Sequence, residues 1–187
     1  MPNYCDNIAT FRHKDPAMLK RAKDALMQER LFREFVPAPH EFVDGDGWPT
    51  EDWCDEHWGT ERDVCVEGWT AGRYKCGVLE EGETFFSCAF LTAWAPPIAA
   101  FDALRQQGFK IDAIYMELGW VVSGTYRFGK HRCYNGDLPP ELLRAFGYIE
   151  DDECGYRREN CQVCASEYGV GRSPASEPTG EGVDVCK

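Results

Sequence analysis

Residues 84–97, Thr-Phe-Phe-Ser-Cys-Ala-Phe-Leu-Thr-Ala-Trp-Ala-Pro-Pro, carry an apolar strand straight into Trp94 and a double proline. Phe86, Cys88 and Phe90 recur with a period of two, which is the pattern of a strand that buries one face. Pro96 and Pro97 cannot donate to a sheet ladder, whereas a fixed φ near −65° suits the opening turn of a helix. The stretch therefore predicts a strand-to-helix corner. Phe86, Cys88 and Phe90 are expected in the sheet core, and the Trp94 side chain is expected to be buried in the corner.

Downstream, Pro97 opens a helix through Ile98, Phe101 and Leu104, and Gly108 supplies its stop. Residues 109–118 and 120–128 then read as a hairpin around Gly119. Trp120, Val122, Gly124, Tyr126 and Phe128 alternate with Val121, Ser123, Thr125 and Arg127 in the manner of a half-buried antiparallel strand. Upstream, Asp63–Trp69 is expected to be a strand, separated from Thr84–Thr92 by the glycine-containing segment 77–82. Cys5–Phe11 reads as the first strand. Asp15 and Pro16 follow it as N-cap and first helical residue. Met18, Leu19, Ala22, Ala25 and Leu26 make the apolar stripe of a helix running to about Gln28 or Arg33, ahead of Pro37 and Pro39.

The order is strand, helix, insertion, two strands, helix, two strands. It predicts an α+β fold: a ferredoxin-like antiparallel sheet of about five strands, with two helices on one face. Residues 1–130 form this domain, with an acidic insertion at 37–62. Residues 131–187 are a cysteine-containing extension, with one short helix at Leu138–Phe146 and a poorly ordered Ser-, Pro-, Gly- and Glu-rich tail.

Between Glu41 and Glu67 the carboxylates Glu41, Asp44, Asp46, Glu51, Asp52, Asp55, Glu56, Glu61, Asp63 and Glu67 face Arg62 as the sole lysine or arginine, with Trp48, Trp53 and Trp58 interleaved. Disordered acidic segments lack aromatics, so this one is expected to be structured, with its tryptophans turned inward. The whole chain of 187 residues carries a net charge of −12, which disfavours long-range attraction to a phosphate backbone and favours a basic partner surface.

The ten cysteines would suit a secreted disulfide scaffold, but the N-terminal Met-Pro-Asn-Tyr-Cys-Asp has neither the basic nor the apolar part of an export signal. Reduced thiols and a cytoplasmic location are expected, with Cys65 and Cys88 acting as small buried hydrophobes. No apolar run approaches the length needed to cross a membrane.

Met1-Pro2-Asn3-Tyr4-Cys5 with Asn7, Trp58-Gly59-Thr60 with Asp63, Thr92-Ala93-Trp94-Ala95-Pro96-Pro97, and Tyr115-x-Glu117-x-Gly119 with Gly124 occur in that order. Over about residues 1–130 this pattern resembles the YubB family of small phage- and plasmid-encoded proteins. The resemblance implies a ferredoxin-like domain and a mobile-element origin, and it carries over no catalytic residue. Arg62 departs from the large residue common at its position, and the segment after Gly129 lies outside the pattern.

Several constellations could carry chemistry. Cys154, Cys161 and Cys164, completed by Cys133 or Cys186, could give four thiolates to a zinc ion, but only one Cys-x-x-Cys pair is present. The alternative is a set of reduced thiols. His57 lies among Cys54, Asp55 and Glu56 without a second histidine at ligand spacing, and reads as a surface histidine. Glu117 could face Asp63 or Glu67 as a carboxylate pair, or serve as a hydrogen-bonding post for the Trp58-Gly59-Thr60 turn. Pro2, exposed by removal of Met1, could act as a secondary-amine base or nucleophile, or simply pin the chain start. No phosphate-cradling loop or nucleophile elbow is present.

The expected function is that of a non-enzymatic interaction protein in the host cytosol. Asp44, Asp46, Glu51, Asp52, Asp55, Glu56 and Glu61 would meet a host protein or ribonucleoprotein with a basic surface, inhibiting a nucleic-acid-handling or defence complex in the anti-CRISPR or anti-restriction manner. Two alternatives stand beside it. One is a nucleic-acid-binding sheet that stacks bases on Trp120, Tyr126 or Phe128 near Arg127, Lys130 and Arg132; the other is a small zinc-binding regulator.

Overall fold

The computed structural model describes residues 3–68, 70, 74–117, 122–135, 139–146, 148–151 and 155–158. In chain order these form β1 (Tyr4–Arg12), α1 (Pro16–Met27), α2 (Leu31–Phe35), a 3-10 turn at His40–Phe42, α3 (Glu51–Trp58), β2 (Gly77–Gly82), β3 (Phe85–Ala93), α4 (Ile98–Gln106), β4 (Lys110–Glu117), β5 (Val122–Arg127), β6 (Lys130–Asn135), α5 (Pro140–Ala145), β7 (Tyr148–Asp151) and β8 (Gly155–Arg158). β1 pairs antiparallel with β3 on one side and β4 on the other. This centres an open six-stranded antiparallel sheet of order β2-β3-β1-β4-β5-β6, while β7 and β8 form a separate two-stranded sheet. The fold is α+β, and the main sheet has six strands rather than the expected five because Lys130–Asn135 continues it beyond the β5 turn.

Register fixes which side chains meet. Phe11 lies opposite Phe86 and Ile111, and Ala9 opposite Cys88 and Ala113, so one face of three neighbouring strands is apolar. On it pack Leu19, Ala22 and Leu26 of α1, Leu31, Phe32 and Phe35 of α2, Trp53 and Trp58 of α3, and Phe101 and Leu104 of α4, all in one buried cluster. Phe11 stacks on Phe86 with ring centres 5.1 Å apart and meets Phe101 edge-on at 6.1 Å. Phe86, Cys88 and Phe90 are buried as the period-two reading requires.

Local signals behave as their chemistry dictates. The Asp15 carboxylate accepts the Ala17 N–H at 2.9 Å ahead of Pro16, and Gly108 turns the chain after α4 with φ +95°. The first helix takes the shorter of the two expected ends, stopping at Met27 with Gln28 as its C-cap, and Glu29 adopts a left-handed φ of +53° before α2 starts at Leu31. The Glu29 carboxylate is drawn inward to accept the Val66 N–H at 2.7 Å, which fixes the break.

Two expectations are overturned. Asp63–Trp69 is not a strand among its described residues; Cys65 alone bridges to Leu91, and the edge of β3 is taken by Gly77–Gly82, with a bulge between Val78 and Glu80. Gly77–Gly82, tied to β3 by a tight turn at Glu83-Thr84, runs along its edge from Phe85 to Ala89, and Cys65 meets the same edge further on at Leu91. Trp94 does not plug the corner. It is 39% exposed with φ +66°, and its backbone N–H donates to the Asn3 carbonyl at 2.8 Å. The indole that fills the helix layer is Trp58, which is 1% exposed.

Candidate functional site

The corner at Trp94 is held by hydrogen bonds. Asn7 Nδ2 donates to Thr92 Oγ1 at 2.9 Å, Thr92 Oγ1 donates to the Ala95 carbonyl at 2.7 Å, and Thr60 Oγ1 donates to the Ala93 carbonyl at 2.8 Å. Trp58 Nε1 donates to the Val36 carbonyl at 3.0 Å. Gly59, with φ +80°, ends α3 where a Cβ would meet the Ile98 and Ala99 nitrogens and the Pro96 carbonyl at 3.2–3.4 Å. Tyr115 OH bonds His131 Nε2 at 2.7 Å, passing over Gly124, whose added Cβ would lie 2.3 Å from that hydroxyl. Asn7, Trp58, Gly59, Thr60, Thr92, Tyr115 and Gly124 thus have the geometry of joints between elements. Glu117 stands in β4 opposite Cys5, and Thr60 takes Ala93 as its partner.

Asp63 is the centre of another joint. Its side chain is 3% exposed; Oδ1 accepts the N–H groups of Phe32 and Val64, and Oδ2 that of Arg33, each at 2.9 Å. It thereby caps the otherwise unpartnered first turn of α2. Burial pushes its pKa up to about 6, against the opposing pull of those three N–H groups and of the Arg33 guanidinium.

Around Asp63 the acidic insertion builds a groove of about 630 Å³, lined by Asp44, Trp48, Thr50, Glu51, Asp52 and Cys54 with Trp58, Glu61 and Arg62. Among the sequence-predicted residues, Asp44, Glu51, Asp52 and Glu61 reach the groove wall, while Asp46, Asp55 and Glu56 stand exposed on the loop and helix beside it. Asp44 shapes the loop: its Oδ1 accepts the N–H of Asp46 at 3.0 Å and of Trp48 at 2.9 Å. Glu51 and Asp52 occupy the first turn of α3, where negative charge favours the helix, and Trp53, Cys54 and Trp58 turn its other side into the core. The expectation of inward tryptophans holds for Trp53 and Trp58. Trp48 is 49% exposed, with the Arg33 guanidinium 4.0 Å above its ring, so Arg33 links the buried Asp63 to the exposed aromatic rim. Arg62 lies 4.0 Å from Glu51, an exposed pair that leaves the face strongly negative.

His57 Nδ1 lies 3.0 Å from the Trp53 carbonyl, and its ring stacks on Trp53 at 4.3 Å. Burial pushes the Cys54 thiol up to about 12 and Cys76 to about 11, and raises Cys5, Cys65 and Cys88 as well, so these sulfurs stay protonated and poorly nucleophilic. Cys88 is fully buried, whereas Cys65 is half-buried. Tyr126, expected on a base-stacking surface, turns to the helix layer instead: it is 1% exposed, and its hydroxyl donates to Asp102 at 2.8 Å. Phe128 is exposed in the β5–β6 turn. Pro2, Trp120 and the candidate zinc ligands Cys154, Cys161, Cys164 and Cys186 lie outside the described residues; among the described residues no cluster of His, Cys, Asp or Glu could hold a metal ion. No described helix is long and apolar enough to cross a membrane.

No protein-family model, curated protein or solved structure matches this chain. The exposed Trp48 and the Arg33–Asp63 link escaped the sequence reading, because a tryptophan among carboxylates gives no periodic signal for which way it turns. The spacing of Asp44 ahead of Gly45-Asp46-Gly47 was the available clue to the loop that carries it.

Proposed function

We propose that the protein is a non-enzymatic interaction protein whose groove face binds a basic protein surface. The observation that carries this reading is the placement of Glu51, Asp52, Asp55 and Glu56 on the solvent side of one short helix, beside an exposed Trp48 that gives the face an aromatic anchor. Such a rigid row of carboxylates suits a site built to hold phosphates. The partner proposed is therefore a host nucleic-acid-handling or defence complex, and the action is inhibition in the host cytosol by a mobile-element product. The sequence pattern described above supports that setting, as does the strand order β4-β1-β3-β2 around two helical crossovers, which fits a ferredoxin-like core extended by β5 and β6.

Co-purification from host extract tests this, comparing the native chain with an Asp52→Asn, Asp55→Asn, Glu56→Gln variant. Capture of a basic nucleic-acid-handling protein is expected, lost in the variant and weakened strongly between about 50 mM and about 300 mM salt as screening shortens the reach of the charges. Capture that ignores both salt and the substitutions would rule the reading out.

A further inference from the structure

The sheet face turned away from α1–α4 is buried at one end, at Ala89, Leu91, Met116 and Ser123, and exposed at the other, where its charge is opposite to that of the molecule as a whole. Alternation along the strands places Arg12 and Thr10 of β1, Lys110 and Asp112 of β4, Arg127 and Thr125 of β5, and Lys130, Arg132 and Tyr134 of β6 on this one face. Register draws them together: Arg12 pairs with Lys110, Asp112 with Arg127, Arg127 with Lys130, and Thr125 with Arg132. All the cations in this set are exposed. Asp112 is engaged by Arg127 at 3.4 Å; Glu80 stands on the far edge strand opposite Ser87, and Asp6 lies buried toward the other end.

The face also offers flat partners. The Arg132 guanidinium lies 5.0 Å from the Tyr134 ring centre, and Arg12 lies 5.9 Å from that of Phe85, which is opposite it in β3. Between them Ile8, Ile114 and Thr125 make a half-buried, weakly polar floor. Four adjacent strands about 4.8 Å apart spread the cations over roughly 14 Å, a span that suits a few nucleotides of an extended strand. Cations for phosphates, with ring and guanidinium planes for bases, are together what an unpaired strand needs. A duplex, with its bases stacked inside, would use only the charges.

We propose that this basic end of the open sheet face binds single-stranded nucleic acid through Arg12, Lys110, Arg127, Lys130 and Arg132, with bases stacking at Tyr134 and Phe85. It lies across the sheet from the acidic groove, so both faces can be engaged at once.

Fluorescence anisotropy of the full chain with labelled oligo(dT) and oligo(rU) tests it. Binding is expected to weaken about fiftyfold between about 50 and 200 mM salt, the change that about four phosphate contacts produce. An Arg127→Gln, Lys130→Glu, Arg132→Glu variant should bind at least about thirtyfold more weakly, while Lys20→Glu, Lys23→Glu on the helix side should bind as the native chain does. Ultraviolet crosslinking of the native protein, which needs no variant to fold, should attach nucleotide to Tyr134 or Phe85. The proposal fails if no binding occurs at low salt, if the α1 variant loses binding equally, or if crosslinks fall on α1 or α3. It fails equally if duplex or polyglutamate competes as well as the single strand does.

Discussion

The Asp63 carboxylate accepts the Phe32 N–H at 2.9 Å from 31 residues away, and through that bond the acidic insertion is fastened to the start of α2. Asp63→Ala leaves the N–H groups of Phe32, Arg33 and Val64 without their acceptor in a buried setting. A loss of roughly 2 kcal/mol or more in urea unfolding is expected. A change below about 0.5 kcal/mol would show that the bonds contribute nothing net.

The same carboxyl sets a pH dependence. Its folded pKa of about 6 lies above the ordinary 3.8, so between those values the native chain binds more protons than the unfolded one. Stability contributed by this group is therefore fully present below about 4, declines as pH rises, and is lost above about 6. The total is about 3 kcal/mol. Comparing unfolding curves of the native chain and Asp63→Asn across this window isolates the effect, and parallel curves would refute it.

Gly59 and Gly47 both have φ near +80°, but a Cβ at Gly59 would press on backbone atoms of the α4 start, whereas one at Gly47 meets nothing within 4 Å. Gly47→Ala is expected to cost about 1 kcal/mol from backbone strain alone. Gly59→Ala should cost clearly more, about 2–3 kcal/mol, because its neighbours are main chain and cannot turn aside. Equal melting shifts for the two variants would contradict the close approach.

Trp94 and Trp58 should respond in opposite ways to truncation. Trp94→Gly removes a half-exposed indole and relieves a left-handed φ, so the net change is expected to stay within about 1 kcal/mol. Trp58→Ala empties a fully enclosed space beside Phe32 and Trp53 and should cost about 3–5 kcal/mol. Thermal melts of the two variants decide it.

Much of the framework could be read from the chain because the governing forces are local. The alternation of Phe86, Cys88 and Phe90, the Asp15–Pro16 helix start and the Gly108 stop each act over a few residues. What escaped reading was decided by competition between distant segments. Val64-Cys65-Val66 is the more apolar run, yet the charged Gly77–Gly82 becomes the edge strand, because an edge needs only one covered face and a short connection. Trp94 takes a left-handed φ and stays partly exposed, whereas Trp58 on α3 packs against Phe32 and Trp53; composition does not show which of several tryptophans turns inward. The acidic face was visible as charge, but its groove depends on Asp63 and Arg33 joining from outside the insertion.

The sheet stands between the exposed carboxylates of α3 on one side and the exposed Arg127, Lys130 and Arg132 of β5 and β6 on the other, with an apolar core between them. A molecule built this way has a permanent dipole as well as a net charge. Were both proposed contacts made, it would feel a torque before contact, turning α3 toward cationic protein and β5–β6 toward phosphate. Encounters would then begin already aligned, so that reversing charge on either side should slow association more than it speeds release.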